Sequence, residues 1–382
     1  MRLWRVPPGA AIAGAVLTLA LCLPGCGKFF PPLTSTSGGG GGTSSGDAIY
    51  AGNLGTNPLS VAGFSLASSA LTEISGSPWQ VSLEPTSLAI TPNNDYLYLG
   101  SAGGGIYVYT ISSSGSLSLG NDGAAVASGI YPAVLRVDPS GKWLLGADST
   151  LGEAYVYQIG SGGALTAISS AVVNVSQSTP ATDLEITPNE DDIFVASGTA
   201  GIYSFTFNDS TGSLVSTNKV LSPKKSGDAD YGMAISPSGQ YLFAAETGIS
   251  AVRVLSIGSD ATLTEASGSP YSTGLGPYAV LVDSTGSYVY VTNRTDGTIS
   301  AFLLSSDGAL SSISGSPFST GDLPSAIVED ESDTYIAVAC AGGSSDLEVY
   351  TLGSSPAGAL VSFKTSTTGT DPTEATSLAA TH

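Results

Sequence analysis

Gly232-Met233-Ala234-Ile235-Ser236-Pro237-Ser238-Gly239-Gln240-Tyr241-Leu242-Phe243-Ala244-Ala245-Glu246 consists of two short apolar runs joined by a Ser-Pro-Ser-Gly turn. A third run, Ala251-Val252-Arg253-Val254-Leu255-Ser256, follows four turn-forming residues later, and a fourth begins near Leu263. Runs this short, punctuated by Gly, Pro and Ser, predict antiparallel strands rather than helices. They are named A (232–236), B (241–245), C (251–256) and D (from 263).

Outward from this segment the pattern repeats. A leucine in the phrase Ala/Ser/Thr-Leu recurs at Leu71, Leu117, Leu165, Leu214, Leu263, Leu310 and Leu360, at intervals of 46 to 50 residues. The turn after strand A is marked by Pro92, Pro139, Pro188 and Pro237, then by Ser284 in the proline position. A third phrase, Ser-Gly-Ser-Pro plus an aromatic, ends at Trp79, Tyr271 and Phe318, again in multiples of one period. Residues 47–382 number 336, seven times 48. Four strands per period, seven times over, predict an all-β, seven-bladed β-propeller. The first strand of this body, 48–52, aligns with strand B, and Ser377-Leu378-Ala379-Ala380-Thr381 aligns with the strand-A phrase Ser87-Leu88-Ala89-Ile90-Thr91. The C-terminus is therefore expected to supply the missing innermost strand of the first blade, which removes two open sheet edges.

Composition agrees with this architecture and narrows the partners. Eleven Lys and Arg against 31 Asp and Glu give a net charge of −20, which excludes an electrostatic nucleic-acid binder. Forty-nine glycines with 42% apolar residues suit many turns between buried strands. No cofactor motif or metal-ligand spacing is read. The pairs of acidic residues around Glu190 and Glu329 lack calcium-loop spacing and read as turn charges.

Residues 1–25 read as an export leader: Arg2 and Arg5 precede an apolar run, 10–23, too short to span a bilayer. Leu23-Pro24-Gly25-Cys26 resembles a bacterial lipobox, which implies lipidation of Cys26 and, with Gly27 following, an outer-membrane lipoprotein, periplasmic or surface-exposed. Residues 26–46, rich in Gly and Ser, form a tether of about 25 Å r.m.s. reach. With Cys22 in the leader and Cys26 lipidated, Cys340 remains alone, so no intramolecular disulfide is expected.

Tyr288-Val289-Tyr290-Val291-Thr292-Asn293, Ser238-Gly239-Gln240-Tyr241-Leu242-Phe243 and Thr211-Gly212-Ser213-Leu214 resemble the lactonase-type propellers, which include 6-phosphogluconolactonase and overlap with YVTN repeat proteins. The resemblance covers 47–382 and implies the fold; the family's chemistry carries over only in part. Relatives have Pro-Arg-His-x-x-Phe-His-Pro before strand B and Asn-Glu-Leu after it. Here Tyr231, Gly232 and Ser236 stand where the arginine and two histidines would be, and Glu246 matches the glutamate.

Strand A starts where strand B ends, so the B-strand ends Asn53, Ser101, Asp148, Ser197, Glu246, Asn293 and Cys340 are expected to gather at one mouth of the ring, with Asp183, Asp230, Asp371 and the loop residue Arg294. Glu246 is the candidate general base, with no visible cationic partner. Arg136 and Glu185 occupy equivalent positions in adjacent blades and are expected to pair structurally. The reading is therefore a lipid-anchored binding or interaction scaffold for a carbohydrate, peptide or envelope protein, with lactone hydrolysis through Glu246 as the alternative.

Overall fold

In a computed structural model of the chain, the described residues are 47–54, 59–67, 70–176, 178–330, 332–368 and 375–382. The leader, Cys26, the tether and Asp371 lie outside them. Among the described residues, no helix is long and apolar enough to cross a membrane.

Seven antiparallel sheets follow one another along the chain. Blade 5, whose sequence opened the reading above, runs Asp230–Ile235 (A), Tyr241–Glu246 (B), Ala251–Ile257 (C) and Leu263–Glu265 (D). The other innermost strands are Pro85–Ile90, Pro132–Val137, Asp183–Ile186, Pro277–Val282 and Asp322–Glu329 in blades 2, 3, 4, 6 and 7. In blade 1 the innermost strand is Ala375–Ala380, paired with Ala48–Asn53 in the register Tyr50↔Ala379 and Ala51↔Leu378. The ring is thus closed by the C-terminal strand.

One device fixes every A–B turn. The residue at the end of strand A folds its side-chain oxygen back to accept the backbone N–H five residues on. Thr91 does so for Tyr96, Asp138 for Trp143, Thr187 for Asp192, Ser236 for Tyr241, Asp283 for Tyr288 and Asp330 for Tyr335, at 2.6–3.1 Å. Local side-chain bonds of this kind specify a turn without help from the strands. Blade 1 has no connecting turn, yet Thr381 Oγ1 accepts the N–H of Ala48 at 2.9 Å, reproducing the same bond between the two ends of the chain.

The Ser-Gly-Ser-Pro phrase also has a structural meaning. Strand D breaks there, and the aromatic residue resumes pairing to strand C as Trp79–Gln80, Tyr271–Ser272 and Phe318–Ser319. At the break, the hydroxyl of the second serine accepts the orphaned strand-C amide: Ser77 from Gly63, Ser269 from Val254 and Ser316 from Ala301, at 2.9–3.0 Å. Between blades, buried tyrosines act as bolts. Tyr50, Tyr98 and Tyr290 donate their hydroxyls to the carbonyls of Gly115, Gly163 and Gly358 in the next blade, at 2.7–3.1 Å. A buried hydroxyl left without such a partner would cost about 1–3 kcal/mol.

Candidate functional site: the channel mouth and the cluster behind it

The seven B-strand ends lie at one end of the ring, but all are buried, between 0% and 6% exposed. Strand B is the second strand of each blade, and the connection running from the previous blade into strand A passes over its end. Five of the side chains hold that connection. Asp148 accepts the N–H groups of Tyr131, Thr150 and Leu151 at 2.5–2.6 Å. Asn53 donates to Thr368 O at 2.5 Å, Ser197 to Thr179 O at 2.9 Å, and Cys340 lies 3.6 Å from Thr320 Oγ1. Asn293 donates to Thr298 and Ser300 in its own blade, and Ser101 accepts the N–H of Gly103. Burial pushes the Cys340 thiol up to about 11, which makes it a poor nucleophile. These residues anchor loops instead of lining an open mouth.

Glu246 is part of a buried ionic cluster. Its Oε1 accepts the Lys224 N–H at 2.5 Å and stands 2.9 Å from Nη1 of Arg253, which is 3% exposed. The same guanidinium lies 3.9 Å from Asp230 and 4.0 Å from Glu265, and donates to Ser222 O. The expectation that Glu246 lacks a cationic partner is corrected here, and the register explains the miss. Glu246 pairs with Ala251 across the B–C hairpin, so Arg253, two residues further on, is its diagonal neighbour on the same face. An arginine inside an otherwise apolar strand C was the available signal. With Asp228 beside them, three carboxylates share this interior with one arginine. Both oxygens of Asp230, Oε2 of Glu246 and Oδ2 of Asp228 have no hydrogen-bond partner among the described residues. Burial, followed by the Glu246 charge, pushes the Asp230 carboxyl up to about 7.

A second group lies on the innermost strands themselves. Arg136, in strand A of blade 3, reaches Asp183 at 2.8 Å and Glu185 at 3.2 Å, both in strand A of blade 4. The Arg136 side chain remains 37% exposed, so it faces the channel. Asp183 also accepts the N–H groups of Leu184 and Met233. Desolvation pushes Glu185 up to about 7 against the pull of Arg136, and the neighbouring Asp183 adds to the rise. Across blades 5 and 6, Tyr231 and Tyr278 stand 5.2 Å apart, ring centre to ring centre, and the Arg294 guanidinium sits 4.8 Å above Tyr278. Burial raises the Tyr278 hydroxyl and Arg294 opposes the rise; the Asp183–Met233 bond joins the carboxylate group to the strand that carries Tyr231. Arg294 makes no ion pair among the described residues.

The chain matches the family described as "Lactonase, 7-bladed beta-propeller" over residues 48–375. It belongs to that family. No curated protein matches the chain. Among solved structures, a protein from Lactobacillus plantarum is 22% identical, with a TM-score of 0.71, and the match covers 88% of this chain and 99% of that one. A candidate 6-phosphogluconolactonase of Bacteroides fragilis is 18% identical, with a TM-score of 0.72, covering 90% of this chain and 100% of that one. The periplasmic gluconolactonase of Pseudomonas aeruginosa is 15% identical, with a TM-score of 0.71, covering 88% and 99%. At these identities the likeness speaks for the fold alone.

The resemblance drawn from the sequence implies a histidine at the position of Gly232. A Cβ built there would lie 2.3 Å from the Tyr278 carbonyl oxygen, so blade 6 closes over that position and leaves no room for a side chain. Two arginines come from neighbouring blades: Arg136 from strand A of blade 3, and Arg294, over Tyr278, from the loop after strand B of blade 6. A carboxylate raised to about 7, a guanidinium without an ion pair among the described residues and a protonated phenol are groups of the kind that move a proton and stabilise a developing negative charge.

Proposed function

We propose that this lactonase-family propeller hydrolyses an uncharged sugar lactone in its channel mouth, with Glu185 as the general base. The observation that carries the reading is the Arg136–Asp183–Glu185 group on adjacent innermost strands, joined by the Asp183–Met233 bond to strand A of blade 5, where Tyr231 packs on Tyr278 beneath Arg294. Arg136 directs Nη1 to Leu135 O and Nη2 to the two carboxylates, so its task is to hold Glu185 and Asp183. Ionised Glu185 takes a proton from water as the water oxygen attacks the lactone carbonyl. Arg294 and the Tyr278 hydroxyl stabilise the oxyanion. When the ring ester bond breaks, the departing alkoxide recovers the proton from Glu185, and the open-chain acid leaves.

An uncharged substrate is favoured by the acidic body, which repels a phosphate at low salt. It also fits export through the leader and Cys26, which would keep the protein from cytoplasmic phosphosugars; the similar P. aeruginosa protein is a periplasmic gluconolactonase. The scaffold reading rests on the loss of the family's arginine and histidines near Glu246 and on phosphosugar lactones being cytoplasmic; the Arg136–Asp183–Glu185 group supports hydrolysis of a neutral lactone through other residues. The test is hydrolysis of glucono-δ-lactone against the spontaneous background, with 6-phosphogluconolactone in parallel. Turnover of the neutral lactone, reduced by Glu185→Gln, supports the reading; background rates for both lactones reject it. For the address, Cys26→Ser should release the protein from the membrane fraction, and continued retention there would reject lipidation.

A further inference from the structure

At the same end of the ring, a cleft of about 390 Å³ opens between blades 6 and 7, lined by Arg294, Thr295, Asp296, Asp322, Leu323 and the glycines 297, 342 and 343. Arg294 lines the cleft and also covers the Tyr278 ring, so this residue is shared by the cleft and the aromatic pair described above. We infer that this cleft is a second subsite, which binds an uncharged sugar unit attached to the lactone ring, so that the preferred substrate is the lactone of a disaccharide or longer aldonic acid. The inference rests on the hydrolase reading for its turnover and on the cleft alone for its binding.

The lining chemistry selects this class. Two carboxylates, Asp296 and Asp322, share the lining with one guanidinium, an acidic balance that disfavours a phosphate or a uronate. Carboxylates accept hydrogen bonds from vicinal hydroxyls, and Thr295 offers a hydroxyl of its own. Asp296 is held in place by the Leu275 N–H at 2.6 Å, which leaves its other oxygen for a ligand. Three glycines leave the cleft walls without side chains, so backbone groups are within reach of a ligand. The lone apolar side chain is Leu323, 43% exposed and held at φ 54°. A leucine is seldom held in the left-handed region, and non-glycine residues held there concentrate at ligand sites. Its side chain supplies the one apolar surface against which the C–H face of a sugar ring can pack. The Tyr231–Tyr278 pair lies on the channel side of Arg294 and gives the lactone ring a stacking surface of the same kind.

The experiment uses the exported protein, the lactones of glucose, cellobiose and maltose, and calorimetric titration with cellobiose and maltose themselves, which cannot be hydrolysed as lactones. A disaccharide lactone is expected to exceed glucono-δ-lactone in kcat/KM by at least about tenfold, or about 1.4 kcal/mol. That ratio should fall towards one in Asp296→Asn/Asp322→Asn and in Leu323→Gly, and thermal melts should show that both variants remain folded. One of the free disaccharides should bind the parent protein and not these variants. If neither disaccharide binds and the disaccharide lactones have no advantage, the subsite is rejected even though monosaccharide lactone is turned over. If a disaccharide binds through these residues but no lactone is hydrolysed, the subsite stands and the hydrolase reading fails.

Discussion

The chain holds two arginine–carboxylate groups built from similar parts and placed in opposite environments. Arg253 with Glu246, Asp230 and Asp228 is sealed inside blade 5, with arginine and carboxylates nearly inaccessible. Arg136 with Asp183 and Glu185 bridges the innermost strands of blades 3 and 4, and its guanidinium reaches solvent in the channel. A buried charge must be matched by its neighbours, so the first group serves the fold; a charge beside water can meet a ligand, so the second can serve chemistry. Glu246 matches the glutamate of the family resemblance, yet it is sealed against Arg253. Glu185 lies beside a partly exposed arginine, and on the proposed reading it is the base.

Opening the ring is expected to have the largest effect. Deleting 373–382 removes the innermost strand of blade 1 and the Thr381–Ala48 bond. Loss of cooperative unfolding and of both groups' functions is expected, and an unchanged thermal midpoint would contradict the closure. Next, Arg253→Met leaves Glu246 and Asp230 buried without a cation and should cost about 3–5 kcal/mol in denaturant unfolding. Arg136→Met should cost no more than about 1 kcal/mol, because that pair is partly exposed, while reducing lactone turnover. Equal destabilisation by the two changes would erase the distinction.

The fold was largely legible in the sequence because each blade repeats its local chemistry: the turn-capping residue before the proline, the serine of Ser-Gly-Ser-Pro, the leucine opening strand D. Those signals act within one blade and need no tertiary context. The pairing of Arg136 with Glu185 was legible for the same reason, since equivalent positions in adjacent blades must meet. What could not be read was exposure. The ends of strand B look like mouth residues until the preceding connection is laid over them. Tyr231 and Tyr278, 47 residues apart, become neighbours only when blades 5 and 6 pack so closely that Gly232 can bear no side chain.

A smaller effect separates the groups by pH. Several carboxyls are raised chiefly by burial: Glu185, Glu190, Asp230 and Glu329 to about 7, and Asp192 to about 6. A carboxyl raised on folding binds its proton more tightly in the native state, so its contribution to stability is complete below the unfolded value and is lost as pH rises through the folded one. The thermal midpoint should therefore fall between about pH 5 and pH 8. Asp230→Asn should shallow that fall and leave the rate profile in place. Turnover should move the other way, rising with pH through about 7 as Glu185 ionises, and a rate profile altered by Asp230→Asn but not by Glu185→Gln would reverse the assignment.

The most direct test compares two isosteric changes, Glu185→Gln and Glu246→Gln, in one assay of glucono-δ-lactone hydrolysis near neutral pH, with unfolding measured on the same samples. Glu185→Gln should lower kcat/KM by about a hundredfold or more and leave the unfolding midpoint nearly unchanged, whereas Glu246→Gln should lower the midpoint while a large share of the turnover remains in the folded protein. Full activity in Glu185→Gln, with activity abolished in a stably folded Glu246→Gln, would contradict the account and return the chemistry to the buried glutamate.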